Sequence, residues 1–171
     1  MNENCLPYSR KSLYLLLTIP MIGLYVLIAT FLWQVSVVFF AVYCALFVIV
    51  AIAQSYVCVY WQCPYVGKFA PCVGGFCLPA SQIARLFKKT KRSERAYNIV
   101  VSLAFAAFLG IIILPVYFLY KQSGVYLLTY LGIVLVYAAS FLWMICPVCD
   151  TRHVCPGGQT SMKLRDMLVR K

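Results

Sequence analysis

Residues 13–57 read LYLLLTIPMIGLYVLIATFLWQVSVVFFAVYCALFVIVAIAQSYV and contain no Asp, Glu, Lys, Arg or His. As one continuous helix this stretch would be about 67 Å long, roughly twice the thickness of a bilayer core. It must therefore fold back on itself. The natural break is the sequence WQVS at 33–36. We predict one membrane span at about 13–33 and a second at about 36–57.

The second half of the chain repeats this pattern. Apolar segments at about 97–120 and 125–145 are separated by the sequence KQSG at 121–124. The whole chain is 64% hydrophobic and 11% charged, whereas a soluble domain has about 25% charged residues. We therefore predict an all-α, polytopic membrane protein with four transmembrane helices.

In this interpretation residues 1–171 form a single domain with two cysteine-rich segments, the loop 58–96 and the tail 146–171. The first span is too long for a removed signal peptide and lacks a small-residue cleavage site, which favours a signal anchor.

The distribution of basic residues predicts the orientation in the membrane. Four spans place the N-terminus, the loop 58–96 and the tail 146–171 on one face, which carries 14 of the 15 Lys and Arg residues; Lys121 is on the other. By the positive-inside rule this face is cytoplasmic. We thus expect a multi-pass protein of the cytoplasmic (inner) membrane with both termini in the cytoplasm.

The net charge of +11 favours a membrane surface as partner. The basic residues lie at the ends of apolar runs and form no aromatic-interleaved groove, so nucleic acid is not an expected partner. The segment Ile83–Arg95 combines Ile83, Leu86 and Phe87 at helical spacing with six basic residues from Arg85 onward. This pattern predicts a short amphipathic segment lying on anionic lipid headgroups. A second copy of the chain is a further candidate partner.

Four features of the spans bear on packing and function. Ser102, Ala106 and Gly110 recur every four residues, which predicts a close helix–helix contact. The tryptophans and several tyrosines fall near span ends and predict interfacial aromatic belts. The spans contain no ionisable Asp, Glu, Lys, Arg or His, which disfavours a pump or ion-coupled transporter. Cys44, at mid-membrane, is interpreted as a packing residue.

Seven cysteines and the single histidine lie just outside the spans in two clusters. They are Cys58, Cys63, Cys72 and Cys77 in the first cluster, and Cys146, Cys149, His153 and Cys155 in the second. In a reducing cytoplasm, closely spaced cysteines are more often metal ligands or redox thiols than structural disulfides. Because the second and fourth spans end at Cys58 and Cys146, we expect both clusters at one cytoplasmic, metal-binding rim.

The residues leave two metals open. Seven thiolates and one imidazole would complete two closed tetrahedral zinc sites. Cys63, Cys146 and Cys155 each precede a proline, as does the last cysteine of a ferredoxin ligand run, which favours an iron–sulfur cluster.

The segments WQCPYVG at 61–67 and CDTRHVCPG at 149–157 resemble the C-x3-C-P-x-G elements of the membrane polyferredoxin family. That family supplies electrons to periplasmic nitrate and nitrous oxide reductases, and its members have a similar bundle with such elements at cytoplasmic helix ends. The resemblance implies an iron–sulfur electron-transfer subunit that links a cytoplasmic donor to quinone or a partner redox protein. Cys58, Cys63, Cys149 and Cys155 would correspond to the paired cysteines, although their spacings here are C-x4-C and C-x5-C.

Other functions remain open from the residues alone. The main alternative is a docking or assembly protein whose rim is held by zinc. Another is a quinone-linked thiol oxidoreductase that uses Cys146-x-x-Cys149, since four-helix thiol oxidases of the disulfide-forming and vitamin K epoxide reductase types place such a motif at a helix end. Heavy-metal sensing or transport is a third. The chain has no carboxylate pair, Ser-His-Asp set or phosphate-binding glycine loop, so a redox role is expected to be that of an electron-transfer component rather than a stand-alone enzyme.

Overall fold

The computed structural model describes residues 11–63, 66, 80, 82–85, 87, 93–149, 152–153 and 155–169. Its helices are α1 (Lys11–Val35), α2 (Val37–Tyr60), α3 (Glu94–Gln122), α4 (Gly124–Ser140) and α5 (Pro156–Val169). A π-helical segment (Phe141–Ile145) and a 3₁₀ turn (Cys146–Val148) continue α4 without a break.

Four of these helical segments are long and apolar enough to cross a membrane: α1, α2, α3 and the continuous run Gly124–Val148. The predicted number and order of long apolar helices are confirmed, and they are consistent with a multi-pass membrane protein. Each helix extends a few residues beyond its predicted span at one end or at both.

Single serines separate the paired helices. Ser36 is extended, with φ −166° and ψ 129°, and its N–H still donates to the Leu32 carbonyl at 2.8 Å. Ser123 has nearly the same geometry, and its hydroxyl accepts a hydrogen bond from the Val125 N–H at 3.3 Å. Serine is favoured at helix N-caps because its hydroxyl can satisfy an unpaired N–H. Both breaks lie where the sequence predicts them, and both are too short for anything but a tight hairpin.

The α2–α3 pair is the most extensive helix contact in the bundle. A Cβ on Gly110 would lie 3.0 Å from Cδ1 of Leu46, so glycine is what lets these helices approach. Ala107 and Ile111 are buried beside it. The other members of the predicted stripe, Ser102 and Ala106, are exposed, so that prediction is correct for Gly110 and wrong for these two. Positions on the buried face of a helix recur every 3.6 residues on average. Residues spaced four apart therefore move progressively away from that face.

The tyrosines differ most from the predicted aromatic belts. Five of them are buried in the core, namely Tyr14, Tyr25, Tyr43, Tyr130 and Tyr137. The Tyr130 hydroxyl donates to the Ile112 carbonyl at 3.1 Å, which gives a buried phenol the partner it needs away from water. Trp33, Trp61 and Trp143 are about half exposed near helix ends, as a belt requires.

Candidate functional site: the thiol end of the bundle

One end of the bundle gathers five of the predicted site cysteines. Here α1 begins, α2 ends, α3 begins and the fourth span ends. We call it the thiol end and define it by Cys58, Cys63, Cys146, Cys149 and Cys155. Two aromatic contacts tie its elements together. The rings of Tyr60 and Tyr97 stack with centroids 4.3 Å apart, joining α2 to α3, and Tyr14 of α1 meets Phe141 edge to face at 6.0 Å.

The spacing of Cys58 and Cys63 is explained by the way α2 ends. Gln62 has a left-handed φ of 49°, its N–H donates to the Val59 carbonyl at 3.1 Å, and the Cys63 N–H donates to the Cys58 carbonyl at 2.9 Å. These two bonds define a Schellman motif. The residues joined by its outer bond, here Cys58 and Cys63, usually also make a side-chain contact. Here the two residues are both cysteines, so the contact is between the Cys58 and Cys63 thiols. The C-x4-C spacing is therefore the spacing of a helix cap.

Gln62 offers a test of this cap. A left-handed backbone costs a residue with a side chain roughly 1–2 kcal/mol that glycine does not lose. We expect Gln62→Gly to raise the free energy of unfolding by about 1 kcal/mol. The matched control is Gln54→Gly within α2, which should lower it by about 1 kcal/mol. Denaturant titration of both variants in mixed micelles measures the two changes, and a decrease for Gln62→Gly would contradict the cap.

The end of the fourth span is shaped by Pro147. The Cys146 N–H bonds to the Phe141 carbonyl, five residues back, which makes the segment π-helical. The next bond of this ladder would run from residue 147 to Leu142, but proline has no N–H. The Ser161 hydroxyl of α5 donates to the Leu142 carbonyl instead, at 2.7 Å, and Ser161 is 1% exposed. The carbonyl that the proline leaves unpaired thus anchors α5 against the thiol end.

Ser161→Ala should weaken this anchor. It removes the donor and leaves the Leu142 carbonyl unpaired, which costs roughly 1–3 kcal/mol for a buried polar group. Ser102→Ala makes the same chemical change at an exposed position of α3 and should alter stability by less than about 0.5 kcal/mol. Limited proteolysis after α5, together with unfolding in micelles, measures the difference. Equal effects of the two variants would show that the hydroxyl does not anchor α5.

Cys146 and Cys149 lie on a buried turn. The Cys149 N–H donates to the Cys146 carbonyl at 3.3 Å, and the two side chains are 6% and 9% exposed. Arg152 fixes the chain that follows, because its N–H donates to the Cys149 carbonyl at 3.1 Å and its Nη1 to the Pro147 carbonyl at 3.1 Å. The C-x-x-C pair is therefore held inside the fold, with limited access from solvent.

Cys155 joins the two sequence clusters. It lies within electrostatic range of Cys58 from the first cluster and of Cys146 from the second. Gly157 packs against the same sulfurs: a Cβ placed on it would lie 3.7 Å from Cys146 Sγ and 4.0 Å from Cys155 Sγ. The structure thus brings together cysteines that are nearly 100 residues apart in sequence.

His153 is exposed and is held by two hydrogen bonds. Its Nε2 accepts a hydrogen bond from Arg152 Nε at 3.2 Å, and its carbonyl accepts one from Gln159 Nε2 at 2.9 Å. With Nε2 engaged in this way, a metal would have to bind the imidazole through Nδ1.

The remaining predicted ligands, Cys72 and Cys77, lie outside the described residues, as do Leu86 and residues 88–92 of the segment Ile83–Arg95. Among the described residues, no three Cys, His, Asp or Glu side chains are arranged to hold a metal ion, and no disulfide joins the six described cysteines.

Sequence reasoning missed one residue that positions the site, Ser161, whereas the glycines at 157 and 158 do indicate a closely wrapped backbone. Ser161 carries no local signal, because its role depends on a carbonyl 19 residues away in sequence. Gly158 is required by a close approach, since a Cβ there would lie 2.5 Å from the Arg152 carbonyl oxygen. The Cys-Pro pair at 146–147 was the available signal, because a proline ending a helix leaves a carbonyl that needs a donor.

Comparison of the chain with protein-family models, with curated protein sequences and with solved structures found no match.

Proposed function

We propose that this chain is an electron-transfer subunit of the cytoplasmic membrane whose thiol end binds an iron–sulfur cluster. The asymmetry of the basic residues supports an orientation with the thiol end and both termini in the cytoplasm. In this role the protein takes electrons from a cytoplasmic donor and passes them to quinone or to a partner redox protein.

The observation that carries the proposal is that Cys155 lies within electrostatic range of both Cys58 and Cys146. These three cysteines belong to α2, the 3₁₀ turn and the residue that precedes α5, and among the described residues they lie near one another without forming a closed ligand set. The donor chemistry fits, because iron–sulfur clusters are held by cysteine thiolates. Gly157, which adds no side chain beside two of the sulfurs, leaves that side of the site open.

The residues that would hold the cluster are Cys58, Cys63, Cys146, Cys149 and Cys155, with Cys72 and Cys77 as further candidates. A cluster bound there would supply one-electron transfer. The chain's own contribution is to place the thiols at the membrane surface and to restrict water: Cys58, Cys146 and Cys149 are buried, while Cys63 and Cys155 are partly exposed.

Cysteine thiolates hold both iron–sulfur clusters and closed zinc sites, so the donor type alone does not choose between them. The proline after Cys63, Cys146 and Cys155 favours iron–sulfur, because the last cysteine of a ferredoxin ligand run also precedes a proline.

Metal analysis of the anaerobically purified full-length protein tests the proposal. We expect brown protein that contains iron and acid-labile sulfide and whose visible absorption is bleached by dithionite. Colourless protein with about two zinc ions per chain would contradict the proposal and support the zinc-held docking protein. Colourless protein without metal would contradict both.

The proposed partners follow from the same orientation. Anionic lipid headgroups would meet the basic segment Ile83–Arg95, and a redox protein or a second copy of this chain would dock beside the thiol end.

A further inference from the structure

The contact between Cys58 and Cys63 has a chemistry that does not require a metal. The Schellman motif holds the Cys63 N–H on the Cys58 carbonyl at 2.9 Å and so places the two cysteines next to each other, which is the proximity that a disulfide requires. Two residues five positions apart on a continuing helix would lie on different faces, so the left-handed Gln62 is what turns Cys63 back toward Cys58. The left-handed residue and the backbone bond together keep the two cysteines close in space.

The two thiols also differ in the way that thiol exchange requires. Cys63 is partly exposed and accessible to a reagent, whereas Cys58 is 9% exposed and lies behind it. An accessible attacking thiol with a buried resolving thiol is the usual arrangement of an exchanging dithiol. In contrast, both members of the Cys146 and Cys149 pair are buried, so neither is placed to attack an external oxidant.

We propose that Cys58 and Cys63 form a reversible two-electron dithiol–disulfide pair that exchanges with small-molecule disulfides. The Cys63 thiolate attacks one sulfur of the disulfide, forms a mixed disulfide and releases one thiol. The Cys58 thiolate then attacks the Cys63 sulfur, closes the intramolecular bond and releases the second thiol. The oxidant gains two electrons and the two protons that the cysteines lose, and a reducing dithiol reverses both steps.

The Cys58–Cys63 disulfide can form whether or not the protein binds a cluster, but the two would compete for the same thiols. Disulfide formation needs no metal, so it is tested on metal-free protein. If the rim also binds a cluster through these thiolates, which rests on the proposed function, the disulfide and the cluster exclude one another. Oxidation of the pair would then prevent the cluster from being loaded.

Peptide mapping identifies the bond. Full-length, metal-free Cys44→Ser protein in detergent is treated with glutathione disulfide, alkylated with N-ethylmaleimide and digested with trypsin. Residues 12–68 lie between Lys11 and Lys68 with no internal Lys or Arg, and in this variant they contain Cys58 and Cys63 alone. We expect this peptide to lose two hydrogens and to resist alkylation until dithiothreitol is added. Retained alkylation of both thiols, or a cross-link from Cys58 to the peptide containing Cys155, would overturn the proposal.

A second experiment tests the role of the cap. Gln62→Val places a β-branched residue in the left-handed position and should slow closure of the disulfide about tenfold, while Gln62→Gly should retain the rate within about twofold. Equal rates in the two variants would show that the cap does not position the thiols. Iron bound by protein that never forms the disulfide would overturn this inference alone, and a disulfide in protein that never binds iron would overturn the proposed function alone.

Discussion

Replacing Cys155 with serine is expected to remove most of the iron from the purified protein. Cys155 lies within electrostatic range of both Cys58 and Cys146, so in the proposed site its thiolate would link the two halves of the ligand set. Loss of an outer-shell partner typically lowers metal affinity by roughly 10- to 100-fold, and loss of a thiolate ligand should exceed this. The measurement is iron and sulfide per chain, with the visible spectrum, in protein purified anaerobically.

Cys44→Ser is the matched control for this prediction. Cys44 lies within α2, 14 residues before Cys58, or about 21 Å along the helix axis. The substitution makes the same chemical change far from the thiol end, and iron content should stay at the wild-type level. Wild-type iron in Cys155→Ser would mean that the two clusters do not share a site, whereas equal loss in both variants would mean that serine acts through the fold rather than through ligation.

The four membrane helices could be predicted because hydropathy acts over whole segments. A stretch of 45 residues without a charge has few stable alternatives in a lipid environment, where every backbone polar group must be paired within the segment. The hairpin at Ser36 was predictable for the same reason, since two bilayer-length helices need a break near the middle of that stretch.

The local geometry of the thiol end could not be obtained in this way. The C-x4-C spacing predicts a ligand pair, but the Schellman motif that creates it is usually signalled by glycine, and Gln62 occupies that position. The π-helical segment depends on Pro147 together with Ser161, which belongs to another helix. Such features arise from tertiary contacts, and sequence periodicity carries no information about them.

Burial of the tyrosines has a similar explanation. Tyr25 lies in the middle of α1 and Tyr137 in the middle of the continuous run Gly124–Val148, where a hydroxyl is unfavourable unless it finds an internal partner. Whether a partner exists depends on the neighbouring helices, as the Tyr130 bond to the Ile112 carbonyl shows. Sequence alone could place tyrosines along a helix but not decide which of its sides faces the core.

Alanine substitutions at the neighbouring glycines Gly157 and Gly158 are expected to have effects of opposite sign. A Cβ on Gly158 would lie 2.5 Å from the Arg152 carbonyl oxygen and 2.8 Å from its carbonyl carbon. Because these are backbone atoms, a rotamer change cannot relieve the clash, and either α5 or the turn at Arg152 must shift. Overpacking of this kind typically costs about 1–3 kcal/mol. A shift would also strain the Ser161 bond to Leu142, so the loss should lie at the upper end of that range.

Gly157 provides the control within the same turn of helix. Its Cβ would make ordinary van der Waals contact with the sulfurs of Cys146 and Cys155, at 3.7 and 4.0 Å. Alanine also restricts the unfolded chain more than glycine does, which favours the folded state by up to about 1 kcal/mol. Gly157→Ala should therefore be neutral or slightly stabilising, whereas Gly158→Ala should destabilise the protein and expose α5 to protease. Unfolding in mixed micelles and limited proteolysis measure both effects. If the two variants behaved alike, α5 would not pack against the Arg152 turn as the structure has it, and the contact of Cys155 with the rest of the thiol end would be in question.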